Sequence, residues 1–370
     1  MLIIALMLMI LGKKITLRDR LILGQSLNHN SLGGLVKLTR KILKYTFIFE
    51  IIGALLMASV YVPEYGFKLG LFKSLFQSIS AFCNAGFDLL GSNSLIPYAT
   101  NKVINITCMT LTILGGLGFL VWDDIGNTFV ECVKKKRNIF MAFSKFKLHT
   151  KLVLILQLLL IVVGALGFMC FEASNPLTIA NYSFGDKLLV STFQSVSART
   201  AGFMTVDLSN INPITKIIMI ILMFIGAAPG GVAGGIKTTT LIVLILGIIA
   251  NVKSKKNICI FKRTISKGTF AKAVTVITIS LFLVIIANMI LITNSNIDSL
   301  DLLFETTSAF STVGLTCGAL SEMNSFCRSI IVLLMYVGRI GTMTMAVTFV
   351  MKKPKENDLV VYAKEDVIVG

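Results

Sequence analysis

The sequence predicts an all-α polytopic membrane protein built from repeated units, and three observations carry that prediction. The chain of 370 residues is 55% hydrophobic and only 14% charged, against roughly 45–50% and about a quarter in soluble domains. Its apolar residues gather into segments near 45–62, 100–122, 152–171, 214–228, 238–252, 273–293 and 326–351, most of them long enough to span a bilayer. Its net charge of +17 is segmental. Lys13, Lys14, Arg18, Arg20, Lys37, Arg40, Lys41 and Lys44 crowd the stretch 13–44, and 123–151 and 253–272 are also basic. The alternate loops hold Glu64, Asp88, Asp186, Asp207, Asp298, Asp301 and Glu322. This alternation is the mark of basic cytoplasmic loops. A nucleic-acid surface would interleave bases with exposed aromatics on a soluble face, so no nucleic-acid partner is expected and the lipid bilayer is.

In chain order, residues 13–44 read as a basic cytoplasmic loop, 45–122 as one unit, and 123–151 as a second cytoplasmic loop. A further unit covers 152–252, a third loop 253–272, a last unit 273–351, and a cytoplasmic tail 352–370. Within 152–252 the segments 214–228 and 238–252 are short for a span. The run Ile225-Gly226-Ala227-Ala228-Pro229-Gly230-Gly231-Val232-Ala233-Gly234-Gly235-Ile236-Lys237 separates them. Glycine and proline at this density cannot continue a helix. One helix broken by a loop at membrane depth is expected, tolerable only where that loop lines a cavity.

A repeat is the most informative feature. Phe76-Gln77-Ser78-Ile79-Ser80-Ala81-Phe82-Cys83-Asn84-Ala85-Gly86-Phe87 aligns without gaps on Phe304-Glu305-Thr306-Thr307-Ser308-Ala309-Phe310-Ser311-Thr312-Val313-Gly314-Leu315. A third copy, one residue shorter, is Phe193-Gln194-Ser195-Val196-Ser197-Ala198-Arg199-Thr200-Ala201-Gly202-Phe203. Each copy lies between two apolar segments, with a period of about 114 residues. A dozen moderately polar residues make only about 18 Å of helix and cannot span. They read as re-entrant helices whose C-terminal carbonyls point a partial negative charge at mid-membrane, which favours a cation there. The stretch after each helix can turn backbone carbonyls inward to replace a cation's hydration shell. The fold expected is therefore repeated helix, pore-helix, filter and helix units around a central ion pore.

These helix, pore-helix, glycine and helix repeats, with the Ala-Gly-Phe-Asp and Thr-Ala-Gly-Phe strings and the broken-helix run, resemble the Trk/Ktr/HKT superfamily of potassium transporters. They are most similar to its KtrB-type potassium-translocating membrane subunits of the TrkH family. The resemblance covers essentially the whole chain. It implies four repeats around one path, with filter strands Asn84, Ala85, Gly86 and Phe87; Thr200, Ala201, Gly202 and Phe203; and Thr312, Val313, Gly314 and Leu315, whose backbone carbonyls hold potassium. It implies that the loop 226–236, with Gly226, Pro229, Gly230, Gly231, Gly234 and Gly235, is an intramembrane gate faced by Arg339. Arg339 is also singled out by cost, since a guanidinium inside an apolar span needs a cavity or a partner. Lys237 reads either as a gate element or as an anchor for the second half-helix. Asp88 and Asp207 either concentrate cations at the outer mouth or brace the filter.

Only three glycine turns are present where the resemblance implies four. The expectation is that 1–12 is the end of the last helix of a first repeat truncated upstream; the function expected is potassium uptake as a pore-forming subunit, with an inactive fragment as an alternative. Sodium permeation or sodium coupling in the same architecture is a further alternative. The resemblance also implies a homodimer in the bacterial inner (plasma) membrane, a cytoplasmic C-terminus, and a cytosolic nucleotide-binding regulatory subunit of the KtrA/TrkA type. No organic cofactor is expected on this chain. An enzyme is not expected: only His29 and His149 are present and no Cys-x-x-Cys pair occurs. Gly226 to Gly235 lacks the ending of a phosphate-binding loop. The nearest acids within segments, Glu50 and Glu172, have no partner at helical spacing. An organic-solute transporter would show inverted repeats, whereas these run in one direction.

Overall fold

The computed structural model describes residues 35–91, 93–135, 142–231, 234–255 and 257–341. The stub expected over 1–12, most of the 13–44 loop, the end of the 326–351 span and the tail 352–370 lie outside the described residues. Three units succeed one another along the chain. The first has outer helix α1 (Leu35–Tyr65), short helix α2 (Phe67–Phe82), then α3 (Lys102–Gly116) and α4 (Phe119–Lys134). The next has α5 (Leu148–Glu172), α6 (Phe184–Ser197), α7 (Pro213–Phe224) and α8 (Thr238–Val252). The last has α9 (Lys267–Asn294), α10 (Ser299–Phe310) and α11 (Ser325–Ile340).

Three long helices, covering most of α1 and all of α5 and α9, are apolar and long enough to cross a bilayer. Their outward faces carry exposed Leu55, Leu158 and Met289, as suits a lipid-facing surface. The short helices pack inward between them. One apolar cluster joins Phe304, Val313 and Leu315 to Phe168, Met219 and Met223. A second joins Phe82 to Phe193, Ala201 and Phe203.

The helix that follows each glycine string, α3, α7 or α11, starts at an asparagine. Asn101 accepts from the Ile104 N–H and Asn324 from the Cys327 N–H, while Asn212 precedes Pro213 at the first helical position. The first two caps satisfy amide groups that a helix start leaves without partners, and Pro213 removes one at the third.

Four boundaries differ from the sequence reading. The basic stretch 13–44 is helical from Leu35, because Arg40, Lys41 and Lys44 are good helix formers and Lys41 pairs with Asp123 on α4 at 3.0 Å. The segment 100–122, read as one span, is bent by 96° between α3 and α4. Gly118 at φ +85° makes that turn, and its Cβ position lies 2.5 Å from the Pro229 carbonyl, so only glycine fits. The 123–151 loop is largely helical, and His149 lies in the first turn of α5 rather than in a loop. There Asp124 accepts from the Lys147 N–H and from Thr150 Oγ1. Finally, the 253–272 loop holds an antiparallel hairpin of β1 (Ile258–Ile260) and β2 (Arg263–Ile265). Phe261 and Lys262 turn it at φ 48° and 60°, the double positive φ of a type I′ turn.

Glu172 has a structural task. Its buried carboxylate accepts from Asn212 N, Thr215 Oγ1, Asn175 Nδ2 and Thr178 Oγ1 at 2.6–2.8 Å, joining the end of α5 to the start of α7. Glu172→Ala leaves these donors without their acceptor. The expected loss is about 3 kcal/mol, read as a lower thermal unfolding midpoint of the detergent-purified protein.

Candidate functional site

The three glycine strings leave their short helices by one backbone route. In the first unit, Asn84 N donates to Ala81 O and Ala85 N to Ser80 O, with Asn84 at φ 49°. In the last unit, Thr312 N donates to Ala309 O and Val313 N to Ser308 O, with Thr312 at φ 53°. These are paired Schellman closures around a left-handed residue. The middle copy, shorter by one, closes with Ala201 N on Ser197 O and has Thr200 at φ 85°. A threonine at positive φ costs on the order of 1–3 kcal/mol, a strain that clusters at functional sites.

The glycines Gly86, Gly202 and Gly314 come next, at φ 72°, 80° and 92°. They converge. A Cβ on Gly86 would lie 3.3 Å from the Gly202 Cα and 2.8 Å from the Ala201 carbonyl oxygen. One on Gly202 would lie 2.3 Å from the Val313 carbonyl oxygen, and one on Gly314 would lie 3.8 Å from the Gly202 Cα. Gly202 is thus the middle of an arc with Gly86 and Gly314 at its ends. Ala201, Phe203, Val313 and Leu315 are buried, while Phe87 and Ala85 are exposed on this chain.

A serine clamps each string. Ser80 Oγ donates to Phe87 O at 2.6 Å, Ser197 Oγ to Phe203 O at 2.5 Å, and Ser308 Oγ to Leu315 O at 2.6 Å. One position of the repeat therefore fixes the residue after each glycine. The second position of the repeat braces the chain beyond the string in two units: Gln194 Nε2 donates to Thr205, and Glu305 accepts from Thr316 Oγ1 and Cys317 N. In the first unit Gln77 turns instead to Cys108 on α3. Asn84 Nδ2 ties two strings together by donating to Thr200 Oγ1 at 3.2 Å. At the same level Asn84 Oδ1, Ser311 Oγ and Thr312 Oγ1 are buried oxygens without a hydrogen-bond partner among the described residues.

The run between α7 and α8 lies against all three units. Its two ends are closed by a parallel bridge, Ile225 to Ile236, and a Cβ on Gly226 would lie 2.1 Å from the Gly234 carbonyl oxygen. Ala228 N donates to Gly116 O and Phe119 N to Gly230 O, so Pro229, Gly230 and Gly231 rest on the bend between α3 and α4. Gly234 and Gly235 rest on Ser311 and Thr312, where a Cβ on Gly234 would lie 2.2 Å from Thr312 Oγ1. Arg199 Nη2 donates to Gly226 O. Lys237 precedes α8 as its cap residue, and its carbonyl accepts from Thr240 N.

Arg339 differs from its expected setting. Gly341 at φ 93° ends α11 at Ile340, so the guanidinium lies in the last helical turn, where C-terminal carbonyls favour a cation, rather than at mid-helix. It is exposed on this chain. Asp88 accepts from Leu90 N, and Asp207 from Ser209 and Asn210. Both carboxylates form local turns.

A family model described as TrkH, cation transport protein, matches residues 2–359. The chain belongs to the TrkH family. It is a cation transporter of the membrane and not an enzyme. It is 39% identical over 344 residues to the Ktr system potassium uptake protein B of Bacillus subtilis (strain 168), covering 93% of this chain and 74% of that protein. It is 35% identical over 362 residues to the potassium/sodium uptake protein NtpJ of Enterococcus hirae, covering 97% and 77%. Its fold matches the crystal structure of the potassium transporter TrkH from Vibrio parahaemolyticus at a TM-score of 0.71 and 15% identity, over 89% of this chain and 68% of that one.

Sequence reasoning missed the three serines as clamps, the bend at Gly118 and the partner of Arg199. A second repeat in the sequence points to the bend. Leu114-Gly115-Gly116-Leu117-Gly118, Ile225-Gly226-Ala227-Ala228-Pro229 and Val337-Gly338-Arg339-Ile340-Gly341 recur at the C-terminal ends of α3, α7 and α11. Gly115 and Gly338 press on Phe82 O and Phe310 O, where a Cβ would lie 1.9 and 1.7 Å away. Their helices end within three residues, beside Gly118 and Gly341. Ser308→Ala removes the donor on the buried Leu315 carbonyl. A loss of about 1–2 kcal/mol is expected, read by thermal unfolding in detergent. Unchanged midpoints for the alanine variants of Ser80, Ser197 and Ser308 alike would contradict the clamp.

Proposed function

We propose that this chain is the pore-forming subunit of a potassium uptake system, with the strings Asn84–Phe87, Thr200–Phe203 and Thr312–Leu315 lining the ion path. The observation that carries the reading is the convergence of three glycine turns, each entered through a left-handed Asn or Thr, beside buried side-chain oxygens without partners among the described residues. A dehydrated cation needs just such a set of fixed oxygens to replace its water. The short helices end at these turns, so their C-terminal dipoles add a negative potential at the same place. The relatives are described as potassium uptake proteins, which selects potassium among the cations.

Ion passage is explained by these parts. A hydrated cation is attracted to the mouth, sheds water against the string carbonyls, and moves on because a single glycine per string makes a shallow site that releases it. The loop 226–236 lies against Ser311-Thr312 and against the α3–α4 bend. In this reading it blocks the path until displaced, with Lys237 and Arg339 as the cations beside it. The division into units, a homodimer, a cytosolic nucleotide-binding regulatory subunit, a bacterial inner-membrane location and a cytoplasmic C-terminus belong to the same proposal. The Ktr system descriptions of the relatives support the regulatory subunit. A second reading has sodium accompany or replace potassium, and the potassium/sodium description of the Enterococcus hirae relative favours it.

Rubidium uptake in bacteria lacking their own potassium importers tests this. Gly202→Asp and Gly314→Asp, checked for normal abundance in the membrane, are expected to abolish uptake by filling the arc. Wild-type uptake in either variant would remove the strings from the path. Deleting Gly230 and Gly231, or replacing Arg339 with Ala, is expected to raise uptake while leaving the preference for rubidium over sodium unchanged. A changed preference without a changed rate would remove the loop as a gate.

A further inference from the structure

We infer that Arg199 is a positioning residue that latches the loop 226–236 to the middle glycine string, an inference that rests on reading the loop as the gate. Arg199 stands between Ala198, the cap of α6, and Thr200, the left-handed residue that opens the string. Its side chain is only 3% exposed. One guanidinium nitrogen, Nη2, donates to Gly226 O at 3.2 Å, and the other, Nη1, donates to Gln157 O on α5 at 3.4 Å. Nε has no hydrogen-bond partner among the described residues, and none of the ion pairs there involves this arginine. A buried guanidinium without a carboxylate is costly and persists only where other groups offset it.

The offset lies in the broken helix. The chain leaves helical geometry at Ile225, so the carbonyls that follow lack the partners a continuing helix would give them; Phe224 O takes Ile236 N and Gly226 O takes Arg199. Gly226 O is at that end, and a cation there is favoured by the helix dipole as well as by the bond itself. In the other two units the corresponding glycines, Gly115 and Gly338, press directly on the carbonyl that ends the short helix. Only the middle unit interposes a guanidinium, and only that unit carries the loop. A planar fork can hold two carbonyls on different elements at once, which an ammonium cannot do with the same geometry.

The latch sits at the neck of the loop. Gly226 touches Gly234, and Gly234 rests on Thr312 of the last string. In the other direction, Thr200 comes directly after Arg199 and accepts from Asn84 of the first string. Releasing Gly226 therefore frees the neck while leaving the string's serine clamp, Ser197 on Phe203, in place.

A double-mutant cycle on rubidium uptake tests the latch. The full chain is expressed as wild type, Arg199→Gln, the Gly230-Gly231 deletion, and both changes together, each normalised to its abundance in the membrane. Arg199→Gln is expected to raise uptake at least about threefold with an unchanged preference for rubidium over sodium. It is expected to add nothing in the deletion background. Arg199→Lys, which keeps the charge and loses the fork, should fall between wild type and Arg199→Gln. Wild-type uptake in Arg199→Gln, an independent multiplicative gain on top of the deletion, or an altered ion preference would each overturn the latch. So would the absence of both single variants from the membrane, which would leave Arg199 a folding role alone. A deletion that itself changes nothing would instead fail the gate reading, so the two failures are told apart.

Discussion

Backbone polar groups buried away from water must find partners inside the protein, and this chain abandons helical geometry in every unit. Each departure then has to be answered by a specific donor or acceptor. The glycine strings are answered by Schellman closures and by Ser80, Ser197 and Ser308 on the carbonyl after each glycine. The bend at Gly118 is answered by the loop, through Ala228 N on Gly116 O and Phe119 N on Gly230 O. The end of α7 is answered by Arg199. Architecture and candidate site are thus one problem: the groups that keep the strings in place are those that make irregular backbone tolerable there.

The units share this solution and differ in one respect. All three place a hydroxyl at the same position of the short helix, and in the first and last units a glycine of the helix that follows presses on the carbonyl ending the short helix. The middle unit alone inserts the glycine-rich run, and its two ends pass so closely at Gly226 and Gly234 that no side chain fits between them. The run then reaches the α3–α4 bend on one side and the base of the last string on the other. The run is held mainly by backbone contacts and glycine packing, while Ala228 joins the apolar cluster of Leu117, Val121 and Val153.

Much of this was legible in the sequence, and the failures have physical causes. The strings could be read because glycine at a repeated position signals a backbone that no side chain permits. The broken helix could be read because glycine and proline exclude helix at that density. The bend at Gly118 was hidden inside an apolar run, where composition cannot distinguish a straight span from a kinked one. The recurrence of Gly115, Gly226 and Gly338 would have exposed it, because each of those glycines sits close to a helix end. The serines were visible as matching letters, but a hydroxyl's bond to a carbonyl six or seven residues on depends on the closure between them. Arg199 stood in the aligned strings without a role, since its partners Gly226 and Gln157 are distant in sequence. Arg339 was noticed for the cost of its charge, yet its place at a helix end depends on the φ of Gly341.

The most direct measurement is to locate rubidium by anomalous diffraction in crystals of the protein grown in rubidium salt. An ordered peak is expected on the concave side of the arc formed by Gly86, Gly202 and Gly314, within coordination distance of the string carbonyls. Ordered rubidium elsewhere in the membrane region, with none at the arc under conditions that support uptake, would contradict that placement.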